Sequence, residues 1–108
     1  MAALTHEHFR VLYFDGKARE VIGERVWAGT MREVEVPFPE IFRSAIKLDA
    51  GSMVIAHNHP SGDPQPSRQD VELTRRFNSI CKHLEIRLLD HLIIARDRSF
   101  SFLGHGLM

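Results

Sequence analysis

Apolar and polar positions divide this chain into strand-like runs and two helical stretches. Residues 9–14 read as a strand ended by the turn signal Asp15-Gly16, and a second strand over 18–27 makes the pair a hairpin. Residues 30–36 alternate polar and apolar side chains, which predicts a third strand. Pro37 and Pro39 then break the chain and lead into a short helix, with Ile41, Phe42, Ala45 and Ile46 on one apolar face. Residues 52–56 form a short buried strand that runs directly into His57. A loop holding Pro60, Pro64 and Pro66 separates it from a longer helix over 67–84. There Leu73, Phe77, Ile80 and Leu84 recur at helical spacing, with Arg75, Arg76 and Lys82 elsewhere. The last part, 86–95 and 99–102, reads as two strands joined by a polar turn. The order β-β-β-α-β-α-β-β predicts an α/β chain of the α+β type, a mixed sheet flanked by helices.

Composition narrows the class. A chain of 108 residues has room for one domain, 1–108, and too little for two. With 44% hydrophobic and 26% charged residues it reads as a soluble globule, neither disordered nor a disulfide scaffold. Fourteen Lys and Arg balance fourteen Asp and Glu, and the balance holds within each half, which argues against direct DNA binding by this domain. No stretch approaches the roughly 20 apolar residues of a bilayer span. Residues 1–7 lack a cationic segment followed by an apolar run, so the expected compartment is the cytoplasm. The single cysteine, Cys81, cannot form an intramolecular disulfide and reads as a buried free thiol within the second helix. Seven histidines are the compositional departure.

Two of them stand in the informative stretch His57-Asn58-His59-Pro60-Ser61-Gly62-Asp63-Pro64-Gln65-Pro66-Ser67-Arg68-Gln69-Asp70. Histidines at i and i+2 at a strand end point to the same side, and Pro60 biases His59 toward an extended backbone. Both imidazoles can therefore reach one metal ion. If the proline-rich loop folds back, Asp70 in the first turn of the next helix becomes a third ligand. Two His and one carboxylate leave a position open for water, the pattern of catalytic zinc. The same residues also read as hydrogen-bonded histidines, an ordinary capping pair of Ser67 with Asp70, and a tight loop. Elsewhere His91, after Asp90 in an apolar strand, reads as a hydrogen-bonded structural histidine and not a ligand. His83 and His105 read as solvent-facing, and Trp27 and the phenylalanines as core.

The spacing His-x-His, seven residues, Ser, two residues, Asp matches the JAMM motif of MPN-domain metalloenzymes, and the string HNHPSGDPQPS resembles the RadC branch of that superfamily. Glu7-His8-Phe9, Trp27-Ala28-Gly29-Thr30, Pro39-Glu40-Ile41-Phe42 and Leu89-Asp90-His91-Leu92-Ile93 are similar to RadC segments at the same places, so the resemblance covers nearly the whole chain. It implies an MPN/cytidine-deaminase-like architecture, one zinc ion with ligands His57, His59 and Asp70, and Ser67 beside the reacting oxygen. It also implies an upstream glutamate as general base and acid. Glu7, just before a hydrophobic strand, matches that placement best, with Glu20, Glu24, Glu33 and Glu35 as rivals. The implied reaction is hydrolysis of a peptide or isopeptide bond.

The resemblance has departures. RadC proteins carry a His/Tyr-Pro-Arg-Glu-like string where this chain reads Val36-Pro37-Phe38-Pro39-Glu40. Their N-terminal helical domain, similar to helix-hairpin-helix DNA binders, is not within these residues, so the family's association with DNA repair transfers weakly. The alternative to a hydrolase is a non-enzymatic zinc-binding interaction module associated with DNA repair.

Overall fold

The computed structural model describes residues 7–17, 19–28 and 36–108. Strands β1 (His8–Phe14) and β2 (Val21–Ala28) pair antiparallel as the predicted hairpin. The strand expected over 30–36 lies outside the described residues except for Val36, which is buried at a bend. Helix α1 (Phe38–Lys47) takes Pro39 into its first turn, where a missing N–H costs no intrahelical bond. Strand β3 (Ser52–Asn58), helix α2 (Arg68–His83), and strands β4 (Arg87–Ala95) and β5 (Arg98–Ser101) complete the described elements. The five strands form one mixed sheet in the order β2-β1-β3-β4-β5, parallel only between β3 and β4, so the fold is α+β.

Alternation decides which face of the sheet meets the helices. Phe9, Val11 and Tyr13 of β1 are buried on one face, and the register sets them opposite His57, Ile55 and Met53. These residues pack with Ile41, Phe42 and Ala45 of α1 and with Leu73, Phe77 and Cys81 of α2 in one core. Ile46 was expected on the same face as Ile41, yet it is 63% exposed. It sits roughly 90° around the helix from the centre of the buried arc. In α2 the buried stripe is Asp70, Leu73, Thr74, Phe77 and Cys81, not the expected line through Ile80 and Leu84. Ile80 is only partly buried, and Leu84 is the C-cap residue beyond the last helical turn. The stripe thus begins with a buried carboxylate, Asp70, and carries the hydroxyl of Thr74 one turn further on.

Strand β4 contains an irregularity that matters for the site. Met53 pairs with Leu88, but Val54 pairs with Asp90, so Leu89 is an extra residue on β4. Burial follows the slip: Leu88 is buried, and then His91, Ile93 and Ala95. Beyond the bulge, His91 stands opposite Ile55 and Ile93 opposite His57, on the helix-covered face.

Cys81 is fully buried, and desolvation pushes its thiol up to about 12 from 9.0. At pH 8 the native chain therefore holds about a thousandfold less thiolate than the unfolded one. Between pH 9.0 and about 12 the unfolded chain ionises first, so stability falls as pH rises through that window. A disulfide reagent added with and without denaturant checks this, and equal labelling rates would contradict it.

Candidate metal centre

The site forms where β3 ends beneath the start of α2. His57 is the penultimate residue of β3 and His59 follows the strand, its N–H held by the carbonyl of Ile94 at 2.9 Å. The loop then turns back on itself. Gly62 takes the turn at a φ of 87°, a conformation that costs glycine little, and its N–H returns to the His59 carbonyl at 3.1 Å. Buried Pro64 and the Asp63 carboxylate, which accepts from Gln65 N–H at 3.0 Å, set the remainder of the loop. Ser67 then caps α2. Its Oγ accepts from Asp70 N–H at 3.1 Å, and the Asp70 carboxylate accepts from Ser67 N–H at 2.8 Å, a complete capping box. The capping reading of Asp70 is therefore met, and its two oxygens also face the two imidazoles.

His57, His59 and Asp70 are brought together so that their donor atoms all lie within 4.8 Å of one another. The two Nε2 atoms are 3.0 Å apart, and each lies 3.2 Å from one oxygen of Asp70. These separations are close to the ~3.3 Å edge of a tetrahedron with bonds of about 2.0 Å. The chemistry of the donors fits a cation as well. His59 Nδ1 faces the carbonyl of Asp63 at 2.9 Å, and a carbonyl only accepts, so neutral His59 carries its proton there and presents Nε2 as a bare lone pair. A lone pair aimed at a second imidazole nitrogen and a carboxylate calls for a positive charge between them. Asp70 is 4% exposed. Burial alone would push its carboxyl up, but the hydrogen bonds from His57 and Ser67 hold it well below the usual carboxylate range.

Glu7 and Ser67 line one cavity of about 290 Å³ together with His59, Pro60, Ser61, Gln69 and Asp70. The register explains the placement of Glu7: Phe9 is opposite His57, so the antiparallel chain runs two residues on toward His59. Asn58, buried between the two histidines, accepts from His8 N–H at 2.6 Å and ties the residue after Glu7 to the strand carrying His57. Among the rivals, Glu24 pairs with Arg10 at 3.8 Å opposite Leu12, and Glu20 is exposed in the hairpin turn. Glu33 and Glu35 lie outside the described residues. A larger cavity of about 490 Å³, lined by Arg75, Lys82 and Leu107 among others, contains none of the three ligating groups.

Three residues near the triad were given no part in the site by the sequence. Asn58 is one. The others continue inward from His57, whose Nδ1 lies 2.8 Å from Nε2 of His91. Nδ1 of His91 in turn lies 2.5 Å from Thr74 Oγ1, and that hydroxyl donates to the Asp70 carbonyl at 2.8 Å. His91 stacks on Phe102 and is fully buried; burial first, and the neighbouring His57 second, hold it well below the usual histidine range and hence neutral. It is the hydrogen-bonded histidine that its setting predicts, and its partner is a member of the triad. A threonine on the buried stripe one turn after Asp70 was the only signal for Thr74. His83 and His105 are exposed, and Phe9, Phe42, Phe77, Phe100 and Phe102 are core.

No helix among the described residues is long and apolar enough to cross a membrane. A family model described as RadC-like JAB domain matches residues 1–107. The UPF0758 protein YkfG of Escherichia coli (strain K12) is 40% identical over 108 residues, which is 100% of this chain and 68% of that protein.

Proposed function

This chain belongs to the RadC-like JAB-domain family, and on that footing we propose that it is a hydrolase of the JAMM type, cleaving a peptide or isopeptide bond with one zinc ion held by His57, His59 and Asp70. The observation that carries the reading is a single cavity that brings Glu7 and the helix-capping Ser67 beside His59 and Asp70, two members of a triad that could hold a metal ion. Zinc, when bound, supplies the Lewis acidity that makes water a nucleophile near neutral pH.

The remaining work falls to the chain's own side chains. Glu7, at the lip of the cavity, takes a proton from the attacking water and returns it to the leaving amine. Ser67 spends a lone pair on Asp70 N–H, which leaves its O–H proton to donate to the carbonyl oxygen of the scissile amide as charge develops there. The cap thereby fixes the hydroxyl at the helix start, so no reorganisation is needed when the substrate arrives. Pro60, Ser61 and Gln69 bound the space in which the scissile bond would lie.

The test is metal content together with cleavage of a peptide and isopeptide library, with and without chelator. The expected result is one zinc per chain and hydrolysis that chelation abolishes and zinc restores. Stoichiometric metal with no turnover of any amide bond would overturn the hydrolase and favour a metal-binding interaction module, including one associated with DNA repair.

A further inference from the structure

The hydrogen-bond chain behind His57 has a direction, and its direction bears on how the triad receives a cation. It starts from a group of fixed polarity. The Asp70 carbonyl can only accept, so the Thr74 hydroxyl proton points to it at 2.8 Å. Thr74 Oγ1 is then left to accept from Nδ1–H of His91. His91 is wholly buried and neutral, so its Nε2 holds the lone pair and accepts from Nδ1–H of His57 at 2.8 Å. One proton occupies each of these three contacts. The last consequence falls on His57 Nε2, the nitrogen left to face His59 Nε2 at 3.0 Å and Asp70 Oδ1 at 3.2 Å.

We propose that Thr74 and His91 are positioning residues that hold the His57 ring with its Nδ1–H donated inward before any metal arrives, presenting Nε2 toward His59 and Asp70. The relay begins and ends on the triad itself, because Thr74 bonds the backbone of Asp70 while His91 bonds the ring of His57. It therefore joins the helix-borne ligand to the strand-borne one through the interior, where water does not compete. An imidazole with the opposite tautomer would turn an N–H into the triad and would have to shed or move that proton for a cation to enter. Fixing ring orientation and tautomer from behind is worth about 10–100-fold in metal affinity at sites of this kind. The consequence for affinity rests on the metal-site reading proposed above; the tautomer is a property of the metal-free chain.

The experiment uses the whole chain labelled with ¹⁵N and stripped of metal. Long-range proton–nitrogen correlation distinguishes a protonated ring nitrogen from a bare one. In the wild type, His57 should show a protonated Nδ1. Thr74→Val, which keeps the shape and loses the hydroxyl, should mix the tautomers of His57 and weaken zinc binding about tenfold or more in competition with a chromophoric chelator. Thr74→Ser should restore both readings to within about twofold of the wild type, which a mere packing role for the threonine would not do. A wild-type His57 with a bare Nδ1 overturns the relay, as does a Thr74→Val protein with unchanged ring protonation and zinc affinity. A wild type with the expected tautomer that binds no zinc upholds the relay and removes the metal-site reading instead.

Discussion

Glu7→Gln yields a protein that folds, retains its zinc and cleaves amide substrate about a hundredfold to ten-thousandfold more slowly than the wild type. Glutamine keeps the size and polarity of the side chain and removes only its capacity to carry a proton. Glu7 is not one of the three triad residues whose donor atoms converge within 4.8 Å, so metal content should stay at the wild-type value. The loss should appear in kcat, because the proton moves in the transition state and not on binding. Glu20→Gln and Glu24→Gln serve as controls, being exposed and, for Glu24, paired with Arg10. If the Glu7 variant turns over as fast as the wild type while either control does not, the base has been assigned to the wrong carboxylate.

Asp70→Asn carries the larger effect on the metal. The amide retains an oxygen that can accept from Ser67 N–H, so the helix keeps its cap and the fold keeps its stability. Its NH₂ group then stands in the place of Oδ1, facing His57 Nε2 at 3.2 Å. The variant thus removes the one anionic ligand and puts a donor where a cation would enter. Zinc should no longer copurify, and activity should fall to that of the chelated wild type. Equilibrium unfolding of the metal-free proteins should agree to within about 1 kcal/mol. Stoichiometric zinc in Asp70→Asn, held as tightly as in the wild type, would rule out Asp70 as a ligand.

The parts of this site that were legible in the sequence are those fixed by local geometry. Histidines two apart at a strand end must share a side, and Ser67 three residues before Asp70 writes its own cap. The β1–β2 hairpin followed from its turn, and β3 from its apolar run into His57. The errors arose where one helix face had to be chosen among apolar candidates. Ile46 and Leu84 were credited with burial that they do not have, while Ala45 and Cys81 are buried as expected. Thr74 and Asn58 carried no signal of their own, since a lone threonine in a helix or an asparagine between histidines acquires meaning only from its partner. His91 was read correctly as hydrogen-bonded, but its partner depends on the register of β4 against β3, and nothing local in Arg87-Leu88-Leu89-Asp90 announces a slip.

That slip at Leu89 makes the site subject to an arithmetic of odd and even. Were β4 to run on in plain alternation at its present length, Asp90 and Leu92 would take the helix-covered face and His91 would project from the other side of the sheet. Removing Leu89 would instead leave Leu88, Asp90 and His91 opposite the partners they have now, so one lost residue there spares the contact with His57. Flattening the bulge without shortening the strand would sever it. Leu89 is thus a residue that β4 can lose but cannot absorb, whereas the segment over 60–66 has only to bring its ends to His59 and Ser67.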